Sequence, residues 1–313
     1  MQSRPSSKNS IYSALAANIL IAITKFIAGA LSRSGSMIAE GIHSLVDTAN
    51  ELLLLLGLHR SSRPPDALHP FGYGKELYFW SFIVSIMIFG LGGGISIYQG
   101  IIHLMHPVPP GDPTTSYIVL LLSIIFEGIS LIVAIKAFNQ IRGDLSFWDA
   151  IIKSKDPTNF LVMFEDGAAV LGLLIVLVCL FLNHTLHLDW LDGLASILVG
   201  LLLVVVSSIL ARESRSLLMG EGIASGTRSK ICALVEHDES VRKVMHMLST
   251  YQSPDEIILM LIIAFNDDLG TEDINLAIDR IRDEVKNEYP LIRFVMIQPE
   301  SFGEQALHDG GIL

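Results

Sequence analysis

The strongest constraint on this chain is a stretch that is long enough to cross a bilayer and yet carries charge along one side. Residues Ser36 to Arg60 read SMIAEGIHSLVDTANELLLLLGLHR. The second half is nearly pure leucine. The first half holds Glu40, His43, Asp47, Asn50 and Glu51, which at about 100° per residue fall along one side of a helix. His43 and Asp47 stand one turn apart, a spacing at which two side chains can share one cation. Such groups are costly in lipid unless they have a partner, a cavity or a metal. A soluble amphipathic helix could carry the same stripe, but the neighbouring segments are also of membrane length.

Six segments approach the roughly 20 residues that cross the hydrocarbon core: 11–31, 36–59, 77–104, 115–139, 158–182 and 190–211. With 51% hydrophobic and 17% charged residues and a mean hydropathy of +0.53, the chain is too apolar for a soluble protein of 313 residues. A net charge of −11 argues against a nucleic-acid partner. Cys179 and Cys232 form no metal motif and no disulfide framework. Arg4, Lys8, Arg60, Arg63, Lys75, Arg142, Lys153, Lys155, Arg212 and Arg215 all fall on one side of the six spans, and only Arg33 on the other. Both termini are therefore expected in the cytoplasm or the equivalent compartment. The N-terminus MQSRPSSKNS shows no cleavable signal, and its shortness favours a bacterial inner membrane over an organelle.

Further polar residues interrupt the spans. Lys25 in the first is expected to snorkel to the interface. Gly92, Gly93 and Gly94 in the third suit close helix packing. Glu127 in the fourth and the adjacent Glu165 and Asp166 in the fifth are functional candidates by default. Neighbours on a helix diverge by about 100°, so Glu165 and Asp166 must face different surroundings, one of them the second helix. In the loop PDALHPFGYGKELYF, Asp66 and His69 could hold a cation, while Pro65, Pro70, Gly72 and Gly74 favour a purely structural reversal. Asp189 and Asp192 mark the outer end of the last span, where Asp192 can cap the helix.

After Arg212 the composition turns charged and acidic. The pattern predicts a helix over 226–237, strands over 241–251 and 256–265, a helix from Thr271, as its cap, to Asn287, and a strand over 292–298. The domains expected are a tail (1–10), a six-helix transmembrane bundle (11–212), a small cytoplasmic α+β domain of αββαβ, metallochaperone-like order (213–302) and a flexible end (303–313).

These features together resemble the cation diffusion facilitator family over nearly the whole chain, and within it the zinc transporter nine branch. The stretches SMIAEGIHSLVDTAN, HPFGYGKELYF, FEGISLIVA and SKDPTNFLVMFEDGAAVLG carry the likeness. The resemblance implies a homodimer in a lipid bilayer that exports a divalent metal in exchange for protons by alternating access. Zinc is the first choice of metal, with manganese, iron or cobalt as alternatives. In most of the family the second and fifth spans each give two ligands at i and i+4. Here His43 and Asp47 match in the second span and Asp166 in the fifth, while the position one turn before Asp166 is Val162. Glu165 is the first substitute, then Glu127 and Asn50. The branch also shares Glu40 and Glu127, which join the candidate metal or proton path. His69 keeps one position of a loop site whose second histidine is Tyr73 here. His246 keeps one position of a cytoplasmic site whose others read Met260, Leu261, Ile297, Gln298 and Pro299, so a binuclear site there is not expected. Lys75 matches a lysine that pairs across the dimer, with Glu221 as its candidate partner.

Two other classes compete with this reading. A membrane metalloenzyme needs an open metal position beside a base, such as HExxH provides, and no HExxH occurs. A transport-inactive regulator or scaffold fits the degraded cytoplasmic site, but gains nothing from burying acids in a membrane.

Overall fold

The computed structural model describes residues 7–33, 35–106, 113–141 and 155–300. The expected flexible end 303–313 lies outside them. Six long helices form where the apolar segments fall: α1 Ser7–Ser32, α2 Gly35–Ser61, α3 Glu76–Met105, α4 Pro113–Ile141, α5 Pro157–Leu186 and α6 Trp190–Met219. Within α3–α6, four stretches are apolar enough to cross a membrane by length and composition. The apolar run found in α1 is shorter, Asn18–Leu31, and the stripe of acids keeps α2 out of that group. With 26 and 27 residues, α1 and α2 still reach about 40 Å at 1.5 Å per residue, enough for the hydrocarbon core.

The helices meet through a core that includes Val84, Leu161, Leu173, Ala195, Val199 and Leu203. Lipid supplies no hydrophobic drive between helices, so close approach depends on small residues. A Cβ added at Gly93 would lie 3.1 Å from the Gly200 carbonyl oxygen, and one at Gly100 would lie 2.7 Å from that of Gly193. The two glycine pairs, seven residues apart on each helix, make a seam that holds α3 against α6. The Gly92–Gly94 run sits in a π-helical turn, Ile88–Gly94, in which Gly92 and Gly93 face α6.

Among the described residues, a second compact unit contains 64–75 together with 216–300. Its elements are α7 Ser225–Glu236, β1 Val241–Ser253, β2 Glu256–Phe265, α8 Thr271–Glu288 and β3 Ile292–Glu300. The sheet order is β1-β2-β3, with β1 antiparallel and β3 parallel to β2. The antiparallel pair closes in a tight hairpin at Ser253↔Glu256, while the parallel pair needs the crossover that α8 provides. Period-two alternation along β2 buries Ile257, Leu259, Leu261 and Ile263 in the same core as Ile231 and Val235 of α7 and Ala277, Ile281 and Val285 of α8. Thr271 is not the cap of α8. The N-cap is Gly270, which has no side chain to accept from the first helical amides, and its own N–H donates to the Asp273 carboxylate (3.0 Å).

The loop 64–75 is built against this domain. The Phe71 ring meets Phe294 edge to face at 5.4 Å. A Cβ at Gly74 would fall 2.5 Å from the Gln252 carbonyl oxygen, so only glycine permits that approach.

Candidate metal site

Helix α2 presents its polar stripe to α1, α4 and α5. His43 is 1% exposed, and its Nδ1 lies 3.3 Å from Asp47 Oδ1 without hydrogen-bond geometry. Both imidazole nitrogens of His43 and the Asp47 Oδ1 are buried and lack a hydrogen-bond partner. Two facing groups with free lone pairs one helical turn apart are what a cation would satisfy.

A cavity of about 270 Å³ opens beside this pair. Asp47, Glu51, Glu127, Glu165 and Asp166 line it, with Asn18, Ser44 and Ser130. The acids come from α2, α4 and α5, and each donor that reaches them comes from another helix. Asn50 Nδ2 donates to Glu165 Oε1 at 2.6 Å. Ser130 Oγ donates to Asp166 Oδ2 at 2.7 Å. Asn18 Nδ2 donates to Glu51 Oε1 at 2.9 Å. The Asp47 and Glu165 carboxyls also lie within hydrogen-bond reach of each other. Glu165 and Asp166 thus diverge as neighbours on a helix must, the first toward α2 and the second toward α4.

The expected ligands share one region but do not form a closed cage. Among the described residues, no three His, Cys, Asp or Glu side chains are gathered closely enough to hold a metal. His43 meets Asp47, whereas Glu165 is bonded to Asn50 and Asp166 to Ser130. Val162, one turn before Asp166 at the position of the family's fourth ligand, lines the same cavity.

Other candidates fall elsewhere. Lys25 does not snorkel. It is fully buried, and its ammonium donates to Glu40 Oε2 (3.3 Å) and Ser44 Oγ (2.8 Å). An acid and a hydroxyl on α2 satisfy the charge inside the bundle, which removes the reason to reach for water. Asp66 is committed to its own loop. Its carboxylate accepts from the Leu68 and His69 amides and from the Tyr73 hydroxyl. The Tyr73 hydroxyl, and then the His69 amide, hold its carboxyl below the usual range. Asp192 lies inside the first turn of α6 rather than capping it, and its carboxylate stands 3.3 Å from His103 Nδ1. Glu221 accepts from the Ser216 hydroxyl at 3.4 Å, and the Lys75 ammonium lies beside the Gly220 backbone. Ser44 and Ser130 were not singled out from sequence. Ser130 is three residues after Glu127, so a search for hydroxyls on the acid-bearing face would have found it.

Residues 11–219 match the cation efflux transmembrane domain. This chain belongs to the cation diffusion facilitator family. It is 34% identical over 288 residues to a mitochondrial proton-coupled zinc antiporter of Xenopus laevis, covering 88% of this chain and 51% of that protein. The human protein of the same name is 36% identical over 242 residues, covering 76% of this chain and 42% of that one. Metal tolerance protein C4 of Arabidopsis thaliana is 35% identical over 262 residues, covering 83% and 57%. The chain therefore spans about half the length of these relatives.

Proposed function

We propose that this family member exports a divalent cation, zinc first, in exchange for protons, by alternating access of a site between α2 and α5. The observation that carries the reading is the meeting of Asp47, Glu165 and Asp166 in one intramembrane cavity, beside a His43 whose ring nitrogens have no partner. His43, Asp47 and Asp166 serve as ligands, with Glu165 as the fourth. Glu40, Glu127 and Asn50 belong to the surrounding metal or proton path. Metal ligation needs neutral imidazole and ionised carboxylates, so loading the cation releases protons and protonation releases the cation. One imidazole with carboxylates suits tetrahedral zinc, while the excess of oxygen also admits manganese, iron or cobalt. The zinc antiporter relatives favour zinc.

The functional unit in this reading is a homodimer. The face of the sheet away from α7 and α8 carries Leu248, Met260 and Met296 side by side, and Leu248 and Met296 are exposed. Such a row on an otherwise acidic domain suits a second copy. The direction of export is away from the side that holds Arg60, Arg63 and Arg212. That direction holds in a bacterial inner membrane and equally in an organelle like that named for the relatives.

The test is zinc and manganese uptake into proteoliposomes with and without an imposed pH gradient, with wild type beside Asp47→Ala and Asp166→Ala. Gradient-dependent flux that each variant loses, while remaining folded, supports the exchange. Flux that survives in either variant moves the site elsewhere. Metal binding without flux in the wild type leaves a metal-binding regulator.

A further inference from the structure

The acidic cavity has a definite outer limit. On α2 its lining runs from Leu54 through Glu51 and Asp47 and stops at Ser44, and on α1 it includes Asn18 and Ile21. Leu54 and Asn18 lie toward the helix ends that carry Arg60 and the N-terminus, so the cavity extends from Asp47 toward the inner side. Just beyond its outer limit sits Lys25. Its ammonium holds Ser44, the last lining residue of α2, and Glu40 one turn further out. Lys25 and Glu40 are each 0% exposed.

The helices around this pair are tightly joined. A Cβ at Gly41 would come within 3.0 Å of the Phe26 ring, and one at Gly29 within 2.9 Å of Ile38. The free oxygen of Glu40, Oε1, has no hydrogen-bond partner, and a Cβ at Gly172 of α5 would come within 3.3 Å of it. The cluster therefore spans α1, α2 and α5, with Ser44 level with the His43–Asp47 pair and Glu40 on its outward side. A dication that leaves outward from that pair would have to pass a fixed ammonium.

We propose that Lys25, Glu40 and Ser44 form the outward gate of the cation path, with Lys25 as its electrostatic barrier. The proposal rests on the transport reading. In the closed state the ammonium ties α1 to α2 and repels a cation held at Asp47. Outward opening parts Lys25 from Glu40, and the unpaired Glu40 oxygen then faces the departing cation. The plain structural alternative is a buried ion pair that only joins two helices, and such pairs can often be replaced by neutral partners without loss of fold.

That difference sets the test. Val176 lies one turn outward of Gly172 on α5 and is 1% exposed. In a chain with Cys179→Ala and Cys232→Ser, Val176→Cys is treated with a membrane-impermeant maleimide from the outward face of sealed vesicles of known sidedness. The parent pair is compared with two neutral pairs, Lys25→Gln/Glu40→Gln and Lys25→Met/Glu40→Met, so that a folded variant is in hand. The gate predicts slow labelling in the parent and a rise of about tenfold or more in a folded neutral pair, the population shift that 1.4 kcal/mol of lost bias gives. Unchanged labelling in a folded neutral pair makes the ion pair merely structural and overturns the gate, as does fast labelling in the parent. Zinc flux of the parent is recorded beside it. Failure of the transport reading shows there, independently of the labels.

Discussion

Asn50→Ala is the sharpest test of how the candidate ligands are held. The Asn50 amide is fully buried, and its Nδ2 donates to Glu165 Oε1 at 2.6 Å, short for a nitrogen–oxygen bond. If Glu165 is the fourth ligand, this bond orients it while the other carboxylate oxygen turns toward Asp47 and the cation. Removal of a partner that orients a metal ligand typically costs about 10–100-fold in affinity. At 1.4 kcal/mol per decade that is about 1.4–2.8 kcal/mol. A hydrogen bond to a charged group is independently worth about 1.5–3 kcal/mol, so the two figures agree. The assay is zinc titration of the detergent-solubilised protein by calorimetry, in wild type, Asn50→Ala, Glu165→Ala and the double variant. Asn50→Ala should weaken zinc by about 10–100-fold in the wild type and cost nothing more once Glu165 is gone. An equal loss in both backgrounds would refute the orienting role. It would make the amide oxygen of Asn50, which has no hydrogen-bond partner, a ligand itself. No loss in the wild type would remove Glu165 from the ligand set.

Two structural predictions accompany it. Gly100→Val should lower the thermal stability of the solubilised protein by about 1–3 kcal/mol, since a side chain there meets Ile197 Cγ1 at 2.6 Å and the Gly193 carbonyl at 2.7 Å. Gly128→Ala in α4, with open space around it, should not, and equal effects would dissolve the seam. In the small domain, Arg280 donates to both carboxylate oxygens of Asp238, at 2.6 and 2.8 Å, and this pairing holds the Asp238 carboxyl below the usual range. A depressed carboxyl stabilises the folded state above its unfolded pKa, and that contribution is lost as the pH falls through the folded pKa. Because the Arg280 side chain is 54% exposed, the pair is worth about 1 kcal/mol at neutral pH. Hydrogen exchange over 238–244 should show Arg280→Ala loosened at pH 7 and matching wild type in acid. A difference that persists in acid would assign the effect to packing.

The architecture was legible because hydrophobic periodicity fixes it. The strand at 256–265 was predicted with its observed bounds, and Asp47 and Glu51 of α2 and Glu165 and Asp166 of α5 fell in one cavity because spacing on a helix determines direction. Partners across helices were not legible. Nothing in the sequence near Lys25 announces that Glu40 and Ser44 will meet it, so snorkelling looked cheaper than burial. Thr271 looked like a cap because hydroxyls commonly serve there, whereas Asp273 reached back to Gly270 instead. At Lys25 the local rule lost to partners that only the folded chain supplies, whereas at α8 the Gly270–Asp273 spacing was itself a local signal.

The donors around the acids suggest how binding and helix movement are linked. Asn50 joins α2 to Glu165 of α5, Ser130 joins α4 to Asp166 of α5, and Asn18 joins α1 to Glu51 of α2. Each is a bond between helices as well as a solvent substitute for a buried carboxyl. In the transport reading, a cation at His43 and Asp47 that takes Asp166 Oδ2 breaks the bond to Ser130, and so loosens α5 from α4 while tightening it on α2. A neutral hydroxyl can give up its acceptor at modest cost, far less than a buried ammonium would pay. In that reading, weak donors stand on the acids that turn toward the cation, and the strong one, Lys25, stands on Glu40 at the proposed gate.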